Sequence, residues 1–381
     1  MQKLVLLYWG CIFLMYLSEG YYPAGMLPER GSRRSFMWHR ADVFMVAVIF
    51  WLSSFSFLRT YYNDTLNYIE GFKVAESVAE GIERGIFTDW TGNPLFLLYQ
   101  STAHMCTENI HVYFMIPAVL IAFAVVKLIK SFSVNPALSL LIFFSIGTYV
   151  MYIAAMKQCF AMFFLLLALP YAADRKYVRF YLLVFIAILF HTHAFMFAIV
   201  PVLIHKPWGK VTFAGFAVML ILMVTYDRTM GAFMNFGQSI GALVAEEEVF
   251  DGHQINILRV AVYWIPALLA LAFHKRLFYN SNETENLFVN MSIVSAFILT
   301  IGLVNGANLY ARMAAYFEIA TAIAIPWMIQ KIFATQSVKL ITVIAGCLYF
   351  GYFLFEFGVS KNFGAEYTAI GLWQFVVELI S

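Results

Sequence analysis

Charged residues are scarce in this chain: they make up 12% of its 381 residues, against about 25% in ordinary soluble domains. Hydrophobic residues make up 62%, and the mean hydropathy is +0.78. A net charge of +2, spread over many short polar segments, gives no basic patch for a nucleic acid. This composition excludes a water-soluble domain and predicts a polytopic membrane protein.

Cysteine is also rare, and its placement excludes two common uses. The four cysteines stand within or beside apolar segments, with neither a CxxC pair nor a histidine at metal-ligand spacing. The polar segments contain no DxD motif or carboxylate cluster in a form typical of a metal site. We therefore predict cysteines that only pack, and no metal or other cofactor.

Apolar runs recur from one end of the sequence to the other with only short polar breaks, so we predict one all-α transmembrane domain over residues 1–381. A helix needs about 20 residues to cross about 30 Å of hydrocarbon. We predict about ten full spans, near residues 3–18, 42–58, 110–129, 136–155, 158–173, 211–227, 257–273, 287–304, 312–330 and 338–355.

Two further apolar segments, 94–107 and 180–204, do not fit as ordinary spans. Both flanks of the second are basic, "DRKYVR" before it and "HKPWGK" after it, and basic residues collect on the cytoplasmic side. We therefore predict a helical hairpin or re-entrant pair over 180–204 and a half-inserted helix over 94–107. This topology places 15 of the 24 lysines and arginines inside the cell.

Two long polar segments, 59–93 and 228–256, become outer loops in this topology. The stretch "GFKVAESVAEGIERGIF" in the first has the pattern of an amphipathic helix that lies on the membrane surface. The stretch "AEEEVFDG" in the second is acidic and typical of a solvated face.

The centre of the 180–204 segment is "FHTH", the most polar point of an apolar run. Ionisable groups at membrane depth are costly, and they usually face a cavity or a partner. His191 and His193 therefore either act within a cavity or simply bond to neighbouring helices.

The predicted outer side has only nine basic residues, and four of them lie at the edges of spans: Arg59, Lys157, Arg259 and Arg312. Long cations often extend from helix ends toward the interface, which accounts for any one of the four. Such cations are expected mainly on the inner face, however. Four of them on the outer face favour binding of an anionic ligand.

The order of several segments resembles that of a known family. "RTYYNDTLNY" follows the second span, and after it come "GNPLFLLY", "MKQCFAMFFLLLALPYA", "LFHTHAFMFAIVPVLI" and "LYARMAAYFEIATAIAIP". This series resembles the EpsG family of exopolysaccharide and O-antigen-type repeat-unit polymerases, the Wzy-like group, over nearly the whole chain. Asn93 and Lys157 depart from the family pattern, which commonly has an acidic residue and an arginine at these positions.

The resemblance implies a metal-independent glycosyltransferase that polymerises oligosaccharide repeat units carried on undecaprenyl diphosphate. It implies a multi-pass protein of the bacterial inner membrane that works at the outer face, in the synthesis of exopolysaccharide, O-antigen or capsule. Its partners would be the lipid-linked oligosaccharide and membrane lipids, with room for a chain-length regulator. The growing chain would pass from its lipid diphosphate to a sugar hydroxyl of the next lipid-linked unit.

Such a reaction needs a cationic site for the leaving diphosphate and a base near the acceptor hydroxyl. The resemblance, together with the planar fork of arginine, assigns Arg59, Arg259 and Arg312 to the diphosphate, and Lys157 adds a point charge. Further hydrogen bonds to sugar or phosphate are predicted from Tyr68, Gln158 and Tyr316.

A histidine is the predicted base, because imidazole titrates near neutral pH. The family pattern has a histidine after an aromatic residue at the hairpin break, and "FHTH" offers both His191 and His193. We choose His193 over the carboxylate of Asp64 as the base, with His191 as a close alternative, and count all three among the candidate catalytic residues. Asp64 has three alternatives: it orients the acceptor sugar, pairs with an arginine, or caps the helix that begins near Thr65.

Two other functions fit parts of the pattern. A transporter or flippase of lipid-linked sugars needs outer cations, but it usually has paired half-repeats, which the sequence lacks. A membrane acyltransferase uses a histidine, but its acyl donor is cytoplasmic whereas the cations are predicted outside. Incubation with one lipid-linked repeat unit separates the three functions, because only a polymerase forms a ladder of products.

Cysteine labelling from the two sides of the membrane tests the predicted topology. In a background without native cysteines, Lys176→Cys should react only with reagents inside the cell, and Ser239→Cys only with those outside. Labelling of both positions from one side would contradict the hairpin, because a single crossing at 180–204 inverts everything after it.

Overall fold

The computed structural model describes residues 2–21, 43–89, 92–226, 228–229, 231–232, 253–360 and 367–380. Within these residues the chain is almost entirely helical, as predicted, with one two-stranded ribbon that the sequence did not predict. Four basic residues predicted on the inner side, Arg30, Arg33, Arg34 and Arg40, lie outside the described residues, as does most of the predicted outer loop 228–256.

Helices follow one another with short connections. In chain order the described α-helices are α1 (Gln2–Tyr21), α2 (Val43–Phe57), α3 (Thr65–Lys73), α4 (Val78–Glu83), α5 (Pro94–Cys106), α6 (Ile110–Phe132), α7 (Pro136–Ser145), α8 (Thr148–Ala154), α9 (Met156–Ala173), α10 (Tyr177–Phe190), α11 (Lys210–Val224), α12 (Ile257–Ala272), α13 (His274–Phe278), α14 (Glu283–Ile301), α15 (Ala307–Ala314), α16 (Ile319–Ile332), α17 (Thr335–Leu354) and α18 (Leu372–Ile380). A 3₁₀ helix, Thr192–Ile204, follows α10, and a π-helical segment, Phe355–Val359, extends α17. The two strands are β1 (Arg59–Tyr61) and β2 (Thr368–Ala369).

Four of the described helices are long and apolar enough to cross a membrane: α6, α9, α14, and α17 with its π-helical extension. Two bent pairs, α7 with α8 and α15 with α16, each form one further span if a bend of 61° or 58° is allowed. Shorter apolar helices of 10–17 residues coincide with the other predicted segments. The all-helical membrane fold is therefore confirmed, and the predicted count of about ten full spans is not.

Several helices break in the middle of apolar segments. Between α7 and α8, Gly147 has a φ of +83°, which glycine adopts without the clash that a side chain would cause. Between α10 and the 3₁₀ helix, the single residue His191 is extended. Each break leaves backbone N–H and C=O groups without a partner in their own helix. Polar side chains are therefore required at these points inside the apolar domain.

Residues 177–204 form the predicted hairpin. The rings of Phe180 and Phe197 stack with centroids 6.2 Å apart, and the Tyr181 hydroxyl donates to the Ala198 carbonyl over 3.3 Å. In one continuous helix, positions this far apart in sequence would be separated by about 26 Å. The two halves therefore fold back on each other, with His191 at the break.

The second unusual segment is also a short helix. α5 has 13 residues and begins with Pro94, which is common at the first position of a helix because its missing N–H would have no partner there. It packs against α10 and α6. The predicted half-helix over 94–107 thus agrees with the observed bounds of α5.

Polar contacts group the connections between helices into two ends, which α6, α9 and α14 join. We call one end the Arg175 end, because Arg175 forms a bidentate ion pair with Glu283 there. At the same end, Lys130 Nζ donates to Ser18 Oγ over 2.7 Å. Arg276 Nε also donates there, to the carbonyl oxygen at position 331. All of these residues were predicted on the inner side.

The opposite end, which we call the Asp64 end, contains residues that were predicted outside. Asp64 pairs with Arg312 there, and the Ile255 N–H donates to the Gly302 carbonyl over 2.9 Å. The alternation of ends along the chain therefore agrees with the predicted alternation of sides.

The two-stranded ribbon closes part of the Asp64 end. β1 and β2 are antiparallel, with Arg59 opposite Ala369. After β2, α18 places Phe375 against the ring of Phe57, with centroids 5.2 Å apart. Residues 367–380 thus hold the strand that carries Arg59.

Thiol cross-linking tests the fold of the hairpin. A Tyr181→Cys/Ala198→Cys variant without other cysteines should be joined in high yield by a short bifunctional reagent, because the two helices lie side by side. The pair Tyr181→Cys/His205→Cys, at comparable sequence separation but beyond the 3₁₀ helix, serves as the control. Absence of the first cross-link would favour one continuous helix.

Candidate functional site

Two helix breaks meet at the Asp64 end, and each contributes an aromatic polar side chain. His191 stands at the break after α10, and Tyr316 stands between α15 and α16. The Nδ1 atom of His191 lies 2.6 Å from the Tyr316 hydroxyl, and Tyr316 is fully buried. This contact fixes the plane of the His191 ring.

His193 lies beside this pair, with its ring centroid 5.0 Å from that of His191. Its buried Nδ1 atom has no hydrogen-bond partner among the described residues, and the ring lies within coulombic range of Arg312. Buried polar atoms nearly always have a partner, since leaving one unbonded is costly. This unpartnered ring nitrogen makes His193 a candidate to contact a ligand.

Arg312, in the last turn of α15, is a partly exposed cation of the site. Its Nη2 atom lies 3.0 Å from Asp64 Oδ2, and its Nε donates to Asn308 Oδ1 over 3.2 Å. The side chain remains 33% exposed. Two contacts thus orient the guanidinium, while part of it stays open to an anion.

Asp64 shows one of its three predicted alternatives. It precedes α3, but its side chain makes no capping hydrogen bond to that helix. The carboxylate pairs instead with Arg312. Of the alternatives of capping and pairing, the structure shows the pairing with an arginine.

The start of α9 brings a second cation to the same place. Lys157 Nζ lies 5.3 Å from the ring centroid of Phe96, and the Gln158 side-chain amide donates to the Arg312 carbonyl over 2.8 Å. The Tyr68 hydroxyl is 3.5 Å from the Lys157 backbone nitrogen. The first turn of α9 has no side-chain cap, so its N–H groups add positive potential.

Eight of the ten predicted site residues therefore form one cluster. His191 lies within coulombic range of both Lys157 and Arg312, which connects the imidazoles to the cations. We call the following set the His-Arg cluster: Asp64, Tyr68, Lys157, Gln158, His191, His193, Arg312 and Tyr316.

Arg59 lies deeper, apart from the open edge of Arg312. It is 2% exposed, and its guanidinium lies 4.2 Å from the ring centroid of Phe114. Its Nη1 donates to the Ser56 carbonyl over 2.6 Å, and its Nε donates to Thr65 Oγ1 over 3.1 Å. Because Thr65 follows Asp64 directly, these bonds hold the turn that presents Asp64 to Arg312.

Arg259 also lies inside the domain. It is 7% exposed, and its Nη2 is 3.6 Å from Oε1 of the fully buried Glu318. Of the three arginines predicted to bind a diphosphate, Arg312 is thus the one that combines partial exposure with a place in the His-Arg cluster.

Asn93 has a function that sequence reasoning missed. It has a φ of +62° directly before Pro94, and its Oδ1 accepts from the Thr192 N–H over 3.1 Å and from the Thr192 hydroxyl over 3.4 Å. This bond supplies a partner for the N–H that the hairpin break exposes between His191 and His193. The available signal was the pair Asn-Pro before an apolar helix, because asparagine tolerates the left-handed conformation.

The fold and the His-Arg cluster define a polytopic helical membrane protein with cations and imidazoles gathered at broken helices. The model of the EpsG family matches residues 42–369, which include every residue of the cluster. The chain belongs to the EpsG family, as its sequence predicted, and is a membrane protein of polysaccharide biosynthesis. Comparisons with curated proteins and with solved structures each gave no match.

Substitution of Asn93 tests its contact with the hairpin break. Asn93→Asp should keep most of the activity in polysaccharide synthesis, because it retains an acceptor oxygen for Thr192. Asn93→Ala should lower the activity by about 10- to 100-fold, because small displacements of reacting groups have effects of this size.

Asn282, which caps α14 at the Arg175 end, provides the matched control. Asn282→Ala should leave activity near that of the unmodified protein at equal expression. Wild-type activity of Asn93→Ala would show that the break does not depend on this contact.

Proposed function

We propose that this protein polymerises oligosaccharide repeat units linked to undecaprenyl diphosphate, by glycosyl transfer at the outer face of the bacterial inner membrane. The observation that carries the proposal is the juxtaposition of two cations, Arg312 and Lys157, with two imidazoles at the end predicted to face outward. Membership of the EpsG family supports a polymerase.

Arg312 and Lys157 bind the diphosphate of the donor. Asp64 and Asn308 hold the guanidinium of Arg312 in one orientation, so little reorganisation is needed when an anion arrives. Lys157 contributes a second positive charge from the start of α9, where the helix dipole also favours an anion. Charge that develops on the departing diphosphate is stabilised there.

His193 is the general base in this proposal. The Nδ1 atom of His191 is already engaged with the Tyr316 hydroxyl, whereas Nδ1 of His193 has no hydrogen-bond partner among the described residues. His193 therefore has a ring nitrogen available to take a proton from an acceptor hydroxyl. His191 and Tyr316 lie beside His193, and their contact holds the helix break at His191 in place.

The bonds change as follows. The acceptor hydroxyl oxygen of one lipid-linked unit bonds to the anomeric carbon of the donor chain, while the bond from that carbon to the diphosphate oxygen breaks. The hydroxyl proton passes to His193, and the diphosphate leaves with the electron pair beside Arg312 and Lys157. Undecaprenyl diphosphate and a chain one unit longer are the products.

Two substitutions test the assignment in purified protein supplied with one lipid-linked repeat unit and a metal chelator. The unmodified protein should form a ladder of products under these conditions, because side chains supply the positive charge. Arg312→Ala and His193→Ala should each abolish the ladder while leaving the protein folded and inserted. Arg312→Lys should restore part of it, because it keeps the charge but not the planar fork.

Arg175→Ala is the control, since Arg175 is an exposed arginine at the opposite end. Normal ladders from both Arg312→Ala and His193→Ala would remove the assignment of these residues. Single acyl additions, or lipid translocation without a ladder, would instead identify an acyltransferase or a transporter.

A further inference from the structure

A second polar cluster lies inside the domain, between the two bent helix pairs. Its centre is Glu318, a fully buried carboxylate directly before α16. Glu318 Oε1 lies 3.6 Å from Arg259 Nη2, and Oε2 accepts from the Thr148 hydroxyl over 3.0 Å. A second buried carboxylate, Glu356 of the π-helical segment, lies within coulombic range of Arg259.

This cluster contacts both bends directly. Thr148 is the first residue of α8, immediately after the break at Gly147. On the other side of the same break, the Tyr263 hydroxyl donates to the Ile146 carbonyl over 2.8 Å. Tyr263 and Arg259 are four residues apart on α12 and therefore share one face. α12 thus holds the α7–α8 bend through Tyr263 and the α15–α16 bend through Arg259.

Each bend lies close in the sequence to members of the His-Arg cluster. Tyr316 stands two residues before Glu318, and Arg312 stands six residues before it. On the other chain segment, α8 is followed at once by α9, which begins with Met156 and carries Lys157 and Gln158. The Gln158 amide in turn donates to the Arg312 carbonyl, so the segments next to the two bends are also bonded to each other.

A buried ion pair is a poor means of stabilising a protein, because removing two charges from water costs more than their attraction returns in many cases. A buried ion pair can instead fix the relative position of helices that have no other rigid connection. The backbone at the two bends lacks regular helical hydrogen bonding, so it depends on such side-chain contacts.

We infer that Arg259 and Glu318 form a latch that sets the two helix bends and so positions Arg312, Tyr316 and Lys157 for the transfer. In this assignment, which rests on the proposed function, Arg259 is a positioning residue that acts through Glu318 and does not contact the diphosphate. Its burial and its carboxylate neighbours separate it from Arg312, which keeps an exposed edge.

A double-substitution cycle distinguishes a latch from a ligand. Arg259→Met and Glu318→Gln should each lower kcat by about 100-fold with little change in KM for the lipid-linked unit, because the reacting groups are displaced. The Arg259→Met/Glu318→Gln variant should recover to within about tenfold of the unmodified protein, because it no longer leaves one member of the pair unpaired.

A ligand role for Arg259 gives the opposite pattern. Arg259→Met would then raise KM, Glu318→Gln would have little effect, and the double variant would be at least as impaired as Arg259→Met. This pattern would overturn the latch. If Arg259→Met does not accumulate in the membrane, the Glu318→Gln variant alone tests the latch. An unchanged kcat in Glu318→Gln would then overturn the latch.

The exposed pair of Arg175 and Glu283 provides the matched control. Arg175→Met and Glu283→Gln should leave kcat and KM unchanged, since that pair lies at the other end of the domain. A general loss of folding in the latch variants would lower the amount of folded protein, measured separately, and leave kcat per folded molecule unchanged.

A cross-link measures the positioning without any activity. Asp64→Cys and Arg312→Cys should be joined by a short bifunctional thiol reagent, and adding Glu318→Gln should lower the yield. An unchanged yield would overturn the latch even if the protein forms no ladder. Absence of a ladder from the unmodified protein would count against the proposed function alone.

Discussion

Backbone groups that lose their helical partners inside an apolar domain must find other hydrogen bonds, and this constraint organises the whole molecule. The chain interrupts its helices at His191, at Gly147 and between α15 and α16. At two of these points a polar side chain bonds to the backbone: Asn93 accepts from the Thr192 N–H at the first break, and Tyr263 donates to the Ile146 carbonyl at the second. At the first break, the residue that Asn93 bonds to, Thr192, lies between two side chains of the His-Arg cluster, His191 and His193.

This arrangement explains why the candidate site combines residues from distant parts of the chain. Asp64, Lys157, His193 and Arg312 each lie close to a change in backbone direction, and Asp64 and Arg312 pair there. A straight helix would present such groups to lipid or to a packed neighbour at high cost. Breaks allow several polar groups to lie beside one another within an otherwise apolar protein.

The sequence predicted the hairpin and most of the cluster, because both depend on local signals. Basic segments on both sides of an apolar run indicate that the run returns to the side of the membrane where it entered. Polar residues at the edges of spans are easy to recognise in an apolar sequence. It could not predict which edge cations turn inward. Arg59 and Arg259 have the same setting in the sequence as Arg312, but their burial depends on Phe114 and Glu318, which lie far away along the chain. The ribbon of β1 and β2 was missed for the same reason, since two or three residues give no periodic signal.

The ribbon also constrains when the protein becomes complete. Thr60 and Thr368, whose hydroxyls are 2.7 Å apart, are separated by 308 positions. During synthesis on the ribosome, the strand that carries Arg59 is made first, and its partner emerges only after the helices between them have been made. Contacts between such distant residues form late because a long loop must close first. The turn that presents Asp64 therefore gains the support of this ribbon only after the intervening helices have been made.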